Sequence, residues 1–221
     1  MSKTWVITGA NKGIGLELAR QVKARGDRVF ATCRSSSKEL DALGVNVVTG
    51  VEVANDDAAG VIARALGDQT IDVLVHNAGI MTIDTLDGLE VEAVRKAFEV
   101  NAVAPLRITQ SLLPKLGRGA KIGLVTSRMG SIGDNGSGRM YAYRMSKAAL
   151  NMAGMTMARD LAERGIMVVV LHPGAIRTDL SGGHGNDDPP VAAKGMLARI
   201  DEVTPETSGR FMHANGQELP W

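Results

Sequence analysis

The sequence of 221 residues predicts an α/β fold, a doubly wound parallel β-sheet with helices on both faces. Short apolar runs alternate with helical patterns, and the runs are apolar on both faces, as strands between two helical layers are. Polar and glycine-rich motifs follow these strands, at the edge where such sheets bind ligands. The length suits one domain with a substantial core, so we expect residues 1–221 to form a single domain.

The first half of the chain contains a regular alternation of strand and helix patterns. Serines at the start of the second helical pattern suit an N-cap, and Asn55 or Asp56 suits that position before the third. The predicted elements are strand 5–8, helix 16–22, strand 28–32, helix 35–43, strand 45–51, helix 56–66 and strand 71–75.

The second half continues the alternation with longer connections. Pro105 lies within a long helical pattern and should end or kink it locally, because proline lacks a backbone N–H. The composition of residues 181–190 predicts a mobile loop, and this loop and the following helix, at about 181–203, are expected to form the substrate pocket. The predicted elements are helix 89–116, strand 121–126, a glycine-rich connection 130–138, a helix ending near 161, strand 166–171, helix 191–203 and strand 209–212.

Charge and cysteine content argue against several classes of protein. With 25 basic and 24 acidic residues the net charge is +1, which does not suit a nucleic-acid or anionic-membrane binder. The single cysteine, Cys33, cannot form an internal disulfide, and no Cys/His spacing suits zinc, so we expect no metal. The sequence opens on an apolar strand without a signal peptide or membrane span. A cytoplasmic protein is therefore expected.

A glycine-rich turn, residues 8–15 (Thr-Gly-Ala-Asn-Lys-Gly-Ile-Gly), joins the first strand to the first helix. Its glycines allow a tight turn and let a diphosphate approach the helix N-terminus, where free amides favour anions. The Gly-x-x-x-Gly-x-Gly spacing differs from the more familiar Gly-x-Gly-x-x-Gly. The turn favours a dinucleotide site. A turn without a ligand and a methyltransferase or flavin site are the alternatives.

Tyr143 and Lys147 lie four residues apart in a helical pattern, so their side chains share one face. A fixed ammonium beside a phenol stabilises phenolate and should lower the phenol pKa from about 10. Tyr141 is a competing candidate, but the residue four positions beyond it is Met145, which cannot tune a phenol. Taken alone, the Tyr143/Lys147 spacing also occurs on ordinary amphipathic helices.

Five motifs in fixed order resemble the short-chain dehydrogenase/reductase family along essentially the whole chain. Segments 127–131, 141–151, 209–211 and 218–221 resemble its C-factor/sniffer-type subgroup of carbonyl-reductase-like members. The resemblance implies a Rossmann fold. The motifs are the glycine turn 8–15, Asn77-Ala78-Gly79, Ser127 at a strand end, the Tyr143/Lys147 pair and Pro173-Gly174.

The resemblance implies a role for each of four side chains. Tyr143 would exchange the proton of the substrate oxygen, and Lys147 would lower its pKa and bind the nicotinamide ribose. Ser127 would hold the substrate oxygen; Ser131 is the alternative, because the gap from Ser127 to Tyr143 is longer than usual, but Ser127 ends a strand. Asn101 matches the asparagine that supports a proton-relay water, or is simply a polar helix residue.

The charge around the second strand favours NADP(H), with NAD(H) still possible. NAD-selective sites carry a carboxylate after this strand, whereas a 2′-phosphate needs cations. Here Cys33 takes that position, Arg34 follows it, and Lys12 lies in the glycine turn. Glu52 stands where the family usually has an adenine-contacting aspartate. The predicted cofactor contacts are Gly9, Asn11, Lys12, Gly13, Ile14, Gly15, Arg34, Glu52, Val53, Asn77, Ala78, Gly79, Tyr143, Lys147, Pro173, Gly174, Ile176 and Thr178.

These inferences predict an NADP-dependent oxidoreductase that moves hydride between nicotinamide and a carbonyl or alcohol substrate. By resemblance, the helices around Asn101 and Tyr143 would pair two subunits in a homodimer. The alternative is a signalling protein that binds a dinucleotide with little turnover. Arg128 is expected to form an ion pair or lie at the surface, rather than attract an acidic substrate. His172 is expected to pack at a strand end.

Overall fold

The computed structural model describes residues 2–221, which contain one sheet of seven strands, all paired in parallel. The order across the sheet is β3-β2-β1-β4-β5-β6-β7, so the direction of winding reverses between β1 and β4. A crevice forms at such a reversal, beyond the carboxyl ends of the strands. The strands are β1 Thr4–Thr8, β2 Arg28–Thr32, β3 Asn46–Val48, β4 Ile71–His76, β5 Leu116–Val125, β6 Met167–His172 and β7 Phe211–His213.

Helices cover both faces of the sheet, which confirms the predicted doubly wound fold. Val6 of β1 packs into a core with Ile62, Ile108 and Leu150. The next residue along the strand, Ile7, packs into the opposite core, which the first and last helices cover. The helices are α1 Gly13–Ala24, α2 Lys38–Asp41, α3 Ala58–Leu66, α4 Val91–Phe98, α5 Ala104–Leu112, α6 Tyr141–Asp160 and α7 Pro189–Glu202.

The third strand is shorter than the predicted range 45–51, because the chain turns at Gly50, whose φ is 74°. Gly50 N donates to Arg34 O at 3.0 Å, and Val51 N donates to Cys33 O at 3.0 Å. These bonds direct residues 51–53 away from the sheet and toward the crevice.

The long helical pattern at 89–116 contains α-helical, π-helical and 3₁₀-helical turns. A π-helical turn, Glu99–Val103, lies between α4 and α5, and Pro105 sits in the first turn of α5. The predicted local interruption is confirmed, and the chain stays helical because a proline is tolerated in a first turn. Leu116, predicted to end the helix, instead begins β5.

Helix α6 begins with an unusual backbone and lies very close to the sheet. Arg139 and Met140 have φ of 61° and 55°, and the Asp84 carboxylate accepts from Tyr141 N at 2.6 Å. A Cβ at Gly154 would lie 2.5 Å from a Val170 methyl carbon. Only glycine therefore allows α6 to pack at this distance.

The predicted loop at 181–190 folds back on Arg177. The Arg177 guanidinium pairs with Asp188 at 2.8 Å and donates to the carbonyl oxygens of Gly185 and Asn186 at 2.9 and 3.0 Å. The mobility of this loop stays a prediction. None of the helices within residues 2–221 is both long and apolar enough to cross a membrane.

Candidate active site

A cavity of about 1010 Å³ lies at the carboxyl edge of the sheet, where β1 and β4 diverge; we call it the edge cavity. The glycine turn, the chain after β2, β3 and β4, helix α4 and residues 177–180 form its wall. The structure brings together here most of the predicted cofactor contacts, namely Gly9, Asn11, Lys12, Gly13, Ile14, Arg34, Glu52, Val53, Asn77, Ala78, Gly79 and Thr178.

The glycine turn fits a diphosphate. Gly9 and Gly13 have φ of 66° and 55°, in the left-handed region that favours glycine. A Cβ at Gly15 would lie 2.3 Å from Gly9 O, so Gly15 lets α1 approach the turn without itself lining the cavity. Among residues 2–221 no side chain caps the start of α1. Its first amides are therefore available to an anion.

Asn77 fixes the end of β4 against the glycine turn. Its Nδ2 donates to Thr8 O and Gly9 O, both at 3.0 Å. Thr8 Oγ1 in turn accepts from Asn77 N at 3.0 Å and from Ala78 N at 3.1 Å. Sequence reasoning missed Thr8, although its place between β1 and the first glycine was a usable signal.

The two predicted phosphate-binding cations each have a carboxylate partner that the sequence did not reveal. Lys12 Nζ lies 2.8 Å from Asp179 Oδ2, and Arg34 Nη1 lies 3.5 Å from Glu52 Oε2. Both pairs are largely exposed, so each contributes little to stability. A phosphate arriving at these cations would compete with Asp179 and Glu52.

Tyr143, Lys147 and Ser127 meet at the sheet edge, in the gap between α6 and the end of β5. Tyr143 and Lys147 are buried on the inner face of α6. Lys147 Nζ lies 5.7 Å from the centre of the Tyr143 ring and donates to Val125 O at 2.9 Å. Ser127 follows β5, and its Oγ accepts from Met129 N at 3.1 Å. These three buried groups lie beside the edge cavity and outside its wall.

Burial controls the protonation of both α6 groups. It raises the pKa of Tyr143 to about 12, and a hydrogen bond with Ser127 offsets this only in part. It lowers the pKa of Lys147 to about 8. Burial therefore leaves the Tyr143 pKa above its ordinary value in the protein alone, and the lowering of this pKa by Lys147 stays a prediction. At neutral pH the phenol is protonated and can donate its proton to an oxygen.

Asn101 lies in the π-helical turn and joins two parts of the site. Its Oδ1 accepts from Ile80 N at 2.8 Å, and its Nδ2 donates to Ile80 O at 2.9 Å and to Ser146 Oγ at 2.9 Å. Ser146 Oγ donates to Tyr143 O at 2.8 Å. Asn101 is thus more than a polar helix residue, since it links the chain after β4 to α6. Its part in a proton relay stays a prediction.

The chain after β6 contributes only partly to the edge cavity. Thr178 lies against the glycine turn, with its Cγ2 3.5 Å from the position of a Cβ on Gly13. Pro173, Gly174 and Ile176 lie outside the wall, and Ile176 is buried. Their proposed contacts with the nicotinamide stay predictions.

The competing candidates have other contacts or another position in the structure. Ser131 Oγ donates to Trp221 O at 3.0 Å and accepts from Asp134 N at 3.1 Å, so it serves the loop. Arg128 pairs with Asp134, as the predicted ion pair requires. Tyr141 lies outside the buried group around Lys147 and is only partly buried.

Three further residues that position Ser127 were missed. A Cβ at Gly130 would lie 2.7 Å from the Lys147 carbonyl carbon, so glycine lets the Ser127 turn touch α6. Thr126 Oγ1 donates to Asn151 Oδ1 at 2.6 Å, and Asn151 Nδ2 donates to Gly130 O at 3.2 Å. The position of Asn151, eight residues beyond Tyr143 on the same helix face, was a usable signal.

Arg107 joins the chain after β3 to the helices beside it. Its Nη1 lies 2.8 Å from a Glu99 carboxylate oxygen and 3.3 Å from one of Asp56, and its Nη2 donates to Val53 O at 3.1 Å. The sequence carried no signal for this role, because a lone arginine on an amphipathic helix predicts a solvated side chain.

Comparisons with known proteins agree with this geometry. The short chain dehydrogenase family model matches residues 3–188, and the chain belongs to this family, the short-chain dehydrogenase/reductases. It is therefore an oxidoreductase by family, as the motifs predicted. A 1-hydroxy-2-glutathionyl-2-methyl-3-butene dehydrogenase of Rhodococcus sp. (strain AD45) is 42% identical over 224 residues, covering 99% of both chains. The C-signal protein of Myxococcus xanthus is 45% identical over 154 residues, 68% of this chain and 93% of that protein.

Solved structures give the same result. The NADPH-bound carbonyl reductase from chicken fatty liver superposes with a TM-score of 0.90 at 29% identity, covering 100% of this chain and 99% of that one. A carbonyl reductase from Pseudomonas aeruginosa PAO1 in complex with NADP gives a TM-score of 0.88 at 30% identity, covering 100% of both. The Rossmann fold and the C-factor/sniffer-like character are confirmed.

The lowered pKa of Lys147 makes stability depend on pH. Between about pH 8 and its unfolded pKa of 10.5, this lysine binds more protons in the unfolded chain than in the folded chain. The free energy of unfolding therefore rises with pH across this range. At about 1.4 kcal/mol per pKa unit, the free energy of unfolding of wild type should gain up to about 3 kcal/mol over Lys147→Met from pH 7 to pH 10.5.

Urea denaturation of both proteins across this range measures the difference. Lys194→Met, on an exposed part of α7, controls for the loss of one lysine. Parallel stability curves for wild type and Lys147→Met would show that burial does not depress this pKa.

Proposed function

We propose that this protein is an NADP(H)-dependent oxidoreductase that transfers hydride between nicotinamide and a carbonyl or alcohol substrate. The observation that carries the proposal is the buried group of Ser127, Tyr143 and Lys147 beside a cavity large enough for a dinucleotide. The NADPH- and NADP-bound carbonyl reductases that share its fold support the choice of cofactor and reaction.

The edge cavity holds the cofactor through the chain's own groups. The amides at the start of α1 bind the diphosphate, and Lys12 and Arg34 bind the 2′-phosphate of the adenosine ribose. Glu52 and Val53, which line the cavity, would lie beside the adenine. The chain after β6, with Pro173 to Thr178, would lie beside the nicotinamide.

Catalysis in the reducing direction depends on a proton donor and a hydrogen bond to the substrate oxygen. The bound nicotinamide supplies the hydride. Ser127 donates a hydrogen bond that polarises the carbonyl group, and Tyr143 donates its phenolic proton to the oxygen. The Lys147 ammonium stabilises the phenolate that remains. Asn101 supports the water that returns a proton to Lys147 and Tyr143.

A signalling role with little turnover is the second candidate, favoured by the similarity to the C-signal protein. The intact Ser127, Tyr143 and Lys147 group supports the enzyme instead, because a protein that only binds a dinucleotide has no need of a buried proton donor. A cytoplasmic location stays a prediction from the sequence.

The Tyr143→Phe variant tests the enzyme directly. Loss of the proton donor should reduce kcat by about 10²- to 10⁴-fold while the affinity for NADPH stays near that of wild type. The measurement is NADPH oxidation against a panel of aldehydes, ketones and quinones, with NADPH binding followed by fluorescence. Tyr141→Phe is the matched control and should keep the wild-type rate.

Two results would count against the proposal. Unchanged turnover in Tyr143→Phe would refute the role of this residue. Tight NADPH binding by wild type without turnover of any carbonyl compound would favour the signalling protein.

The two ion pairs at the edge cavity make the cofactor preference testable. Lys12→Ala or Arg34→Ala should raise the KM for NADPH by about tenfold or more, because one charge-assisted contact to phosphate is lost, and should leave the KM for NADH unchanged. Asp179→Asn is the matched control, since it breaks the same Lys12 pair but frees the cation, and should not raise the KM for NADPH. A wild-type preference for NADH that persists in both alanine variants would contradict this assignment.

We further propose that two copies pair through α5 and α6. Exposed apolar side chains lie on this surface, including Leu106 and Met152, which are 43% and 68% exposed. A groove of about 560 Å³ between the two helices adds contact area. Sedimentation should show a dimer for wild type and a monomer for a Leu106→Glu/Met152→Glu double variant. Ile83→Glu, an exposed apolar residue elsewhere, should stay dimeric; a monomeric wild type would end the proposal.

A further inference from the structure

Two histidines end neighbouring strands beside the catalytic group. His172 of β6 and His213 of β7 are direct partners in the strand register, and Val125 of β5 pairs with Leu171. Val170 and Phe211, two residues earlier on each strand, belong to the core that α6 covers. Because side chains alternate along a strand, both histidines point to the α6 side of the sheet. They therefore share a face and an edge with Ser127 and Tyr143.

The two rings present hydrogen-bonding atoms without their full complement of partners. They pack edge to face with centres 5.0 Å apart. His213 Nδ1 accepts from Asn215 N at 3.0 Å, which places the imidazole proton on Nε2, beside Gly174. His172 Nδ1 is buried and has no hydrogen-bond partner among residues 2–221. Buried polar atoms without a partner are rare in folded proteins, and this one lies at the end of β6, at the same edge of the sheet as Ser127.

Arg128 supplies a positive charge to this corner. It follows Ser127 directly, and its Nε donates to Asp134. A guanidinium has five N–H groups, so further donors remain. Burial, His213 and Arg128 together lower the pKa of His172 to about 4, and burial and Arg128 lower that of His213. Both rings are therefore neutral at pH 7 and act as N–H donors, while Arg128 carries the charge.

Two acidic residues lie near Arg128 and the two histidines, but they leave the charge beside His172 positive. Asp134 is bound to Arg128, and Asp187, on the loop after β6, raises the pKa of His213 more weakly than Arg128 lowers it. Arg128 and, when protonated, His213 repel a proton on His172, so both lower its pKa.

We infer that Arg128, His172 and His213 form a subsite for a carboxylate group of the substrate. This inference rests on the proposed function and names the substrate class: carbonyl compounds that carry a carboxylate at the end remote from the carbonyl group. A carboxylate accepts from the Arg128 guanidinium and from His213 Nε2–H, and the His172 ring packs edge to face against His213 and holds it in place. The sequence had favoured plain packing for His172 and an ion pair alone for Arg128.

Two aldehydes of matched shape test the subsite. With NADPH, 4-carboxybenzaldehyde should have a kcat/KM about tenfold or more above that of methyl 4-formylbenzoate, because only the acid can accept a charge-assisted hydrogen bond in the subsite. Arg128→Gln and His213→Gln should bring this ratio close to one, mainly through the KM of the acid. Asp134→Asn leaves Arg128 charged and should keep or increase the ratio.

Other results would overturn the subsite. A wild-type ratio near one would do so, as would a ratio that survives in Arg128→Gln and His213→Gln. If this ratio also fell to about one in Asp134→Asn, the preference for the acid would depend on the position of the loop that contains Arg128 and Asp134, and not on the charge of Arg128.

A binding measurement separates the subsite from the proposed function. In NMR spectra of the protein, 4-(hydroxymethyl)benzoate should shift the imidazole signals of His172 and His213 and raise their pKa, and its methyl ester should not. Shifts without turnover of either aldehyde would support the subsite and contradict the enzyme. Turnover of both aldehydes without these shifts would contradict the subsite alone.

Discussion

The close approach of α6 to the sheet determines the site. Glycine at 154 lets the helix rest on β6, and glycine at 130 lets the turn after β5 touch the backbone of Lys147. With a larger side chain at either position, α6 would move outward and take Tyr143 and Lys147 with it. Buried hydrogen bonds from Asn101 and Asn151 then hold the helix in this place. Packing and polar contacts thus determine together where the proton donor lies.

The same packing determines the electrostatics. Burial shifts the pKa of the phenol upward and that of the ammonium downward, so Tyr143 is neutral at pH 7 while Lys147, with a pKa of about 8, still carries most of its charge. For a proton donor this is useful, because Tyr143 keeps its proton at neutral pH until a substrate oxygen takes it. The arrangement lowers folding stability, as is common where a site requires buried polar groups.

The sequence was sufficient for the fold and for the residue types of the site, since strand and helix periods, glycine spacing and the order of motifs are local properties. It failed where the answer depended on contacts between distant segments. The spacing of Tyr143 and Lys147 showed a shared face but not the burial that raises the Tyr143 pKa. The partner of Lys12 is Asp179, 167 residues away, and no pattern near either residue predicts it. His172 looked unremarkable because its unpaired Nδ1 is visible only in three dimensions.

The π-helical turn that contains Asn101 shifts the phase of the helices on either side. It holds one residue more than an α-helical turn would, so the buried face of α5 is rotated relative to that of α4. A single helical wheel drawn from 89 to 116 therefore mixes the buried residues of the two helices. An alignment that removes one residue from Glu99–Val103 would restore a regular helix. It would also rotate Asn101 by about 100° away from Ile80. In this segment the number of residues is therefore as important for the position of Asn101 as the identity of each residue.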